Sequence, residues 1–231
     1  MIHIGNKRIM ALYKTVEVPV DSKLPQVLDK SVTEITAADF GNIVALGDYA
    51  FYKCTYLSSI TIPYSVKSIG NYAFYHCDGL TSIEIPNSVK SIGSYAFSSC
   101  EDLTSIEIPD SVNSLGGSAF QQCPNLTSVI IGSGITALNG NTFFNCTSLT
   151  EILIPPNITT MKGYDLRMGS TTNKATIYIA NNTPPTISTT TFDSTKLEKI
   201  VVPTGTGDIY KAATNWSAFA DYIVEYEEAS A

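Results

Sequence analysis

With 231 residues, 44% of them hydrophobic and 15% charged, the chain has the composition of a folded domain or two and not of a disordered segment. A net charge of -7, with Lys67 and Lys90 the only basic residues between Leu57 and Leu149, argues against a phosphate-backbone track and a nucleic-acid partner. No apolar run reaches the length of a membrane span, and Met1-Ile2-His3-Ile4-Gly5-Asn6 lacks the basic-then-apolar order of a secretory leader.

In chain order, residues 1–31 read as an N-terminal cap or hairpin segment. Ile2 to Ile9 has the pattern of a hairpin turning at Gly5-Asn6, and Val16, Val18 and Pro19 look like the trace of an early repeat unit. Val32, Ile35 and Ala37 begin a unit that is out of phase with the units after it. The phase then locks. Cys54, Cys77, Cys100, Cys123 and Cys146 recur at a constant 23-residue step. Phe51, Phe74, Phe97, Phe120 and Phe143 keep the same step, as do Leu57, Leu80, Leu103, Leu126 and Leu149. Residues 32–203 are therefore read as a repeat array.

One unit carries a physical reading. Leu80, Ile83 and Ile85 alternate as a half-buried strand does. Pro86 ends that strand, because proline donates nothing to a sheet ladder. Val89 and Ile92 make a second short extended piece, and Gly93 turns the chain. Ala96 and Phe97 suggest a short helical turn whose ring plugs the core. Strands repeated at one step run parallel. A lone unit cannot hold itself together: burying about six apolar side chains yields roughly 10–15 kcal/mol, and ordering its residues costs at least as much at roughly 1–2 kcal/mol each. Stacking makes the sum favourable.

Ile177 and Ile179 follow Ile152 and Ile154 at a 25-residue step, which places a two-residue insertion near Gly169 to Asn173. Leu197, Ile200, Val202 and Pro203 restore the 23-residue step, and Ile223 extends it. Residues 204–231 read as a capping helix and a last strand.

The unit Leu80-x-x-Ile83-x-Ile85-Pro86-x-Ser88-Val89-x-x-Ile92-Gly93-x-x-Ala96-Phe97-x-x-Cys100 resembles the BspA-type (Treponema pallidum-type) leucine-rich repeat. Thr183-Pro184-Pro185, Leu197 to Pro203 and Tyr210 to Trp216 resemble that family's terminal unit and closing helix. The resemblance implies an α/β repeat solenoid: a leucine-rich-repeat right-handed superhelix with a parallel β-sheet on the concave face and short strands and helical turns elsewhere. It implies a non-catalytic module for protein binding or adhesion, on the surface of host-associated bacteria or secreted, with no shared catalytic residues and no cofactor or metal. The family also occurs in mobile elements, which keeps a phage or mobile-element structural component as an alternative. Where many leucine-rich repeats carry Asn or Cys, this chain has Ser65, Ser88 and Ser111, then Gly134, then Asn157. These read as a polar ladder bonding the neighbouring backbone, with a gap at Gly134.

The cysteines lack metal-site spacing, and equivalent side chains on stacked units point in parallel, so they are expected to be buried thiols. His3 and His76 have no nucleophile or carboxylate at a catalytic spacing; a dyad of His76 with Cys77 requires a cysteine expected in the core. Two surfaces remain as partner sites. The first is the outward column Thr61, Glu84, Glu107, Ile130 and Leu153, acidic at one end and aliphatic at the other. Its aliphatic end is either exposed or covered by residues 160–173. The second is the tyrosine column Tyr49, Tyr72 and Tyr95, flanked by Tyr52 and Tyr75. Its rings either take a glycan or a protein partner, or cover one another along the stack. A protein ligand is the first reading, a glycan the alternative, and the oligomeric state is left open.

Overall fold

Alternation along each unit settles which side chains go inside. Leu103, Ile106 and Ile108 are buried while Ser105 and Glu107 face solvent. The computed structural model describes residues 33–40 and 43–226. The hairpin read into Ile2 to Ile9, His3 and the early unit at Val16 to Pro19 lie outside them. The described chain is a β-solenoid of parallel strands with few helices.

Two faces of the coil are laddered. On the first, Ser105–Ile108 pairs with Ser128–Ile131, and Glu151–Ile154 pairs with Ala175–Ile179, which continues to Leu197–Val202 and Ile223–Glu225. The register follows the sequence. Ile106 stands opposite Val129, Ile152 opposite Ile177 and Ile200 opposite Ile223. On the second face, Ala45–Leu46, Ser68–Ile69, Ser91–Ile92 and Ser114–Leu115 form one sheet, and Ala137–Asn139 pairs with Thr160–Lys162. Between those two sheets, the Asn139 side-chain amide donates to Leu115 O at 2.7 Å in place of a backbone bond.

The insertion lies where the spacing puts it. Met161 still pairs with Leu138, and Asn145 N–H still donates to Arg167 O, so the 23-residue phase survives to that point. Ser170 to Asn173 then closes on itself, with Ser170 N–H bonding Asn173 O and Asn173 N–H bonding the Ser170 hydroxyl. The unit read as out of phase upstream is likewise shifted: Ile35 pairs with Ile60, again a 25-residue step.

The third side corrects the sequence reading. The segment around Ala96 and Phe97 is a run of tight turns and not a helical turn. In each unit two residues take left-handed backbone angles. One column is Tyr49, Tyr72, Tyr95, Ser118 and Asn141; the other, four residues later, is Lys53, His76, Ser99, Gln122 and Asn145. The reason is hydrogen bonding. A helix spends its N–H groups on its own axis. Here they alternate: Tyr72, Phe74 and His76 donate to Ser94, Ala96 and Ser98 of the next unit, while Tyr75 and Cys77 donate back to Tyr72 and Phe74. The left-handed residues turn every second donor toward the next unit, where a carbonyl accepts it. Each costs roughly 1–2 kcal/mol of backbone strain, which the inter-unit bonds offset.

Inside, the phenylalanines of neighbouring units stack face to face. Centroids are 5.0 Å apart for Phe51–Phe74 and Phe74–Phe97, 5.4 Å for Phe97–Phe120 and 5.7 Å for Phe120–Phe143. All five cysteines are buried, and none forms a disulfide. The thiols of Cys77, Cys100, Cys123 and Cys146 donate to the carbonyls of Phe51, Phe74, Phe97 and Phe120 at 3.1–3.2 Å. Burial, above all, pushes the Cys77, Cys100 and Cys146 thiols well above their ordinary value of 9.0. A raised folded pKa gives stability that is complete below the unfolded value and is lost as pH rises from there through the folded value. Urea midpoints are therefore expected to fall as pH is raised from 8 to 10, and to fall less in a variant with these three cysteines changed to alanine. Iodoacetamide at pH 8 is expected to leave the buried Cys77, Cys100, Cys123 and Cys146 thiols unlabelled until urea is added.

The polar ladder is present from Ser88 onward, while the buried hydroxyl of Ser65, read as its first rung, finds no hydrogen-bond partner among the described residues. Ser88 and Ser111 hydroxyls donate to Val66 O and Val89 O, each at 2.7 Å. Gly134 is the gap because a Cβ there would collide with both Asp110 O and Val112 O. Asn157 resumes it on Ile135 O, and Asn181 extends it to Ile158 O at 3.0 Å. The C-terminal end is closed by the Gly207–Ala212 helix and the 3-10 segment Trp216–Tyr222. Trp216 is buried against Phe192 and Tyr210, and its indole N–H donates to Pro185 O at 2.7 Å. The Glu225 carboxylate accepts Gly205 N–H at 2.9 Å and Gly207 N–H at 2.7 Å.

Candidate functional site

The strand face presents one outward residue per unit at a common phase. Thr61 bridges to Glu84, Glu107 stands opposite Ile130, and Leu153 stands opposite Tyr178. All five residues expected in this column are solvent-exposed. Ile130 is 57% and Leu153 is 53% exposed, on strands that lie side by side. Residues 160–173 do not cover them. Thr160–Lys162 belongs to the other ladder, and Tyr164 packs against Phe144. Sequence reasoning stopped the column too early. Carrying the 25-residue step and then the 23-residue step past Leu153 leads to Tyr178, Val201 and Val224, which are paired in that order. Tyr178 is half-buried, Val201 is buried, and Val224 is 43% exposed.

At the acidic end, Glu84 and Glu107 line one hollow of about 390 Å³ with Tyr64, Ile83, Asn87 and Ile106. Among the described residues the sole contact between a basic side chain and a carboxylate is His76 Nδ1 with Asp78 Oδ1 at 3.2 Å, so neither glutamate has a basic partner among them. Asp110, next to the hollow, is already engaged. Its carboxylate accepts the Ser133 N–H at 2.7 Å and hydroxyl at 2.9 Å, and the backbone bond first, then the hydroxyl, holds its pKa below the usual value.

The tyrosines form two stacked columns. Tyr49–Tyr72 and Tyr72–Tyr95 centroids are 5.1 and 4.8 Å apart with planes within 5°, and Tyr52–Tyr75 are 5.2 Å apart. The columns meet edge to face, Tyr49 on Tyr52 and Tyr72 on Tyr75. Ring faces are thus turned into one another, and solvent meets ring edges and hydroxyls. Tyr49, at the end of its column, is 49% exposed.

The other candidates resolve structurally. The Cys77 thiol points inward to Phe51 O, away from any dyad with His76. Among the described residues no group of three His, Cys, Asp or Glu side chains could hold a metal ion. Sequence reasoning missed Asp165, a buried carboxylate that accepts Thr142 N–H at 3.0 Å, the Thr142 hydroxyl at 2.8 Å and Lys162 N–H at 2.6 Å. Desolvation pushes its pKa up against those bonds. It acts as a strut that ties one unit to the next, and no sequence signal marks it.

Six copies of the BspA type leucine rich repeat region match the chain, over residues 44–167. No curated protein matches it in sequence. Among solved structures, a leucine-rich repeat protein from Bacteroides ovatus is 26% identical with a TM-score of 0.55, over 74% of this chain and 55% of that one. The Treponema pallidum leucine-rich repeat protein is 24% identical with a TM-score of 0.51, over 59% of this chain and 73% of that one. The pneumococcal vaccine antigen PcpA is 20% identical with a TM-score of 0.51, over 86% of this chain and 43% of that one. At those last two identities the likeness is one of fold. With its 23-residue units, its stacked phenylalanine core and more than half its length matched, the chain belongs to the BspA-type leucine-rich-repeat family.

Proposed function

We propose that the chain is a non-catalytic protein-binding module whose binding surface is the strand face through Thr61, Glu84, Glu107, Ile130 and Leu153. Proteins built from leucine-rich repeats are generally non-catalytic scaffolds that engage other proteins. The observation that carries the reading is the pair Ile130 and Leu153, large aliphatic side chains more than half exposed and adjacent on rigid strands. An isolated exposed leucine needs no explanation, whereas a contiguous patch on a regular face is a common mark of a partner site. Attachment to a host or matrix protein, from the cell surface or in secreted form, is part of this proposal. So is the division into an N-terminal segment 1–31, repeats 32–203 and a cap 204–231.

A glycan-binding reading would use the surface tyrosines of the column Tyr49, Tyr72 and Tyr95. A sugar stacks on a ring face, and within the column only the end rings Tyr49 and Tyr95 keep a face that no other tyrosine covers, Tyr49 being 49% exposed.

The test is surface plasmon resonance of the immobilised chain against purified matrix glycoproteins. Binding to at least one is expected, lowered tenfold or more by Leu153→Asp at unchanged thermal stability. Binding indifferent to both Leu153→Asp and Ile130→Asp would remove the strand face as the site. A signal confined to a glycan array and lost in Tyr49→Ala would replace this reading with the alternative.

A further inference from the structure

We infer that the strand face takes an extended peptide segment of a partner protein in which a lysine or arginine stands about four residues from an aliphatic residue. This rests on the strand face being the binding surface. The face has two chemistries at a fixed separation. At one end Glu84 and Glu107 share a hollow without a basic partner among the described residues, and Asp110 beside it is already occupied by Ser133. Like charges on neighbouring strands at one phase repel. A guanidinium or ammonium in the hollow removes that repulsion with charge-assisted hydrogen bonds. The Tyr64 ring, 67% exposed, lines the same hollow and offers a face for a cation.

Along the same column the next positions are Ile130, Leu153 and Tyr178, none of them charged. Neighbouring strands lie about 4.8 Å apart. From the midpoint of Glu84 and Glu107 to Leu153, the middle of those three positions, is two and a half strand steps, or about 12 Å. A peptide crossing the strands in extended form advances about 3.4 Å per residue, so about four residues separate the cationic side chain from the aliphatic one. The occupant is a cationic partner and not a second copy of this chain. The same column on another copy carries no lysine or arginine to meet Glu84 and Glu107, in a protein of net charge -7.

Panning the purified full-length chain against a random decapeptide library tests this. Selected peptides are expected to pair lysine or arginine with leucine, isoleucine, valine or methionine at a separation of three to five residues. Their affinity is expected to fall at least tenfold with Glu84→Gln combined with Glu107→Gln, at least tenfold with Leu153→Asp, and to weaken as salt is raised. Folding of each variant is checked by its thermal transition. Peptides that depend on Leu153 but ignore both glutamates overturn this inference and leave the protein-binding surface standing. Peptides that ignore all three residues overturn both. An empty selection overturns the inference alone, since the matrix-protein measurement judges the surface independently. Sedimentation showing a dimer that Leu153→Asp dissociates gives the face to a second copy and overturns it as well.

Discussion

Phe97→Ala is expected to lower the unfolding free energy by about 3–5 kcal/mol, read from urea unfolding followed by circular dichroism. The ring is fully buried and stacks on two others, Phe74 at 5.0 Å and Phe120 at 5.4 Å. Its neighbours cannot close the void. The turn carrying Phe97 is bonded on both sides: Phe74 N–H donates to Ala96 O, and Phe97 N–H donates to Ala119 O. A solenoid transmits damage only to nearest neighbours. Amide exchange should therefore quicken around Phe74 and Phe120 and stay slow around Ile200 and Ile223. A loss below about 1 kcal/mol would contradict the account of the phenylalanine column as the core.

Trp216→Ala is expected to cost a similar amount, about 3–5 kcal/mol, but locally. The residue fills the C-terminal end against Tyr210 and Phe192. Its removal also leaves Pro185 O without its donor, a further desolvation cost of roughly 1–3 kcal/mol if water does not enter. Trypsin should then cut first at Lys199 or Lys211, while a core containing residues 44–167 persists. Cleavage that is uniform along the chain would show that the cap and the stack unfold as one unit. Trp216 is the only tryptophan, so its fluorescence in the unaltered chain reports the cap separately from the strands.

The parts of this fold that were legible in the sequence are those where burial repeats. Leu80, Ile83, Phe97 and Cys100 each occupy an inward position that recurs at the 23-residue step, and the pattern wrote the register, the insertion and every rung of the polar ladder but Ser65 directly. The exposure of Ile130 and Leu153 followed from the same phase. The turns were not legible. Tyr72 and His76 have no local preference for left-handed angles; they adopt them because the next unit needs their N–H groups. Nor did the sequence reveal where the sheets break, since that depends on strand twist and spacing. For the tyrosines it held the phase but not the rotamers, so it left open whether faces or edges meet solvent. Spacing alone leaves residues 160–173 free to cover the aliphatic pair; the pairing of Thr160–Lys162 with Ala137–Asn139 in the second ladder takes them away from it.

The alternation of donors in the turns has a consequence for how such a chain changes length over generations. From Tyr49 to Gln122, four successive units each pass three of their turn N–H groups forward to carbonyls of the next, in the same geometry each time. Unequal recombination that inserts or removes one whole unit therefore leaves each forward donor with an acceptor, and the join is as sound as any other. A partial unit breaks that chain of hand-overs. Selection can thus lengthen or shorten the strand face in increments of one strand, about 4.8 Å, and so adjust how long a partner segment the protein spans without redesigning its interior.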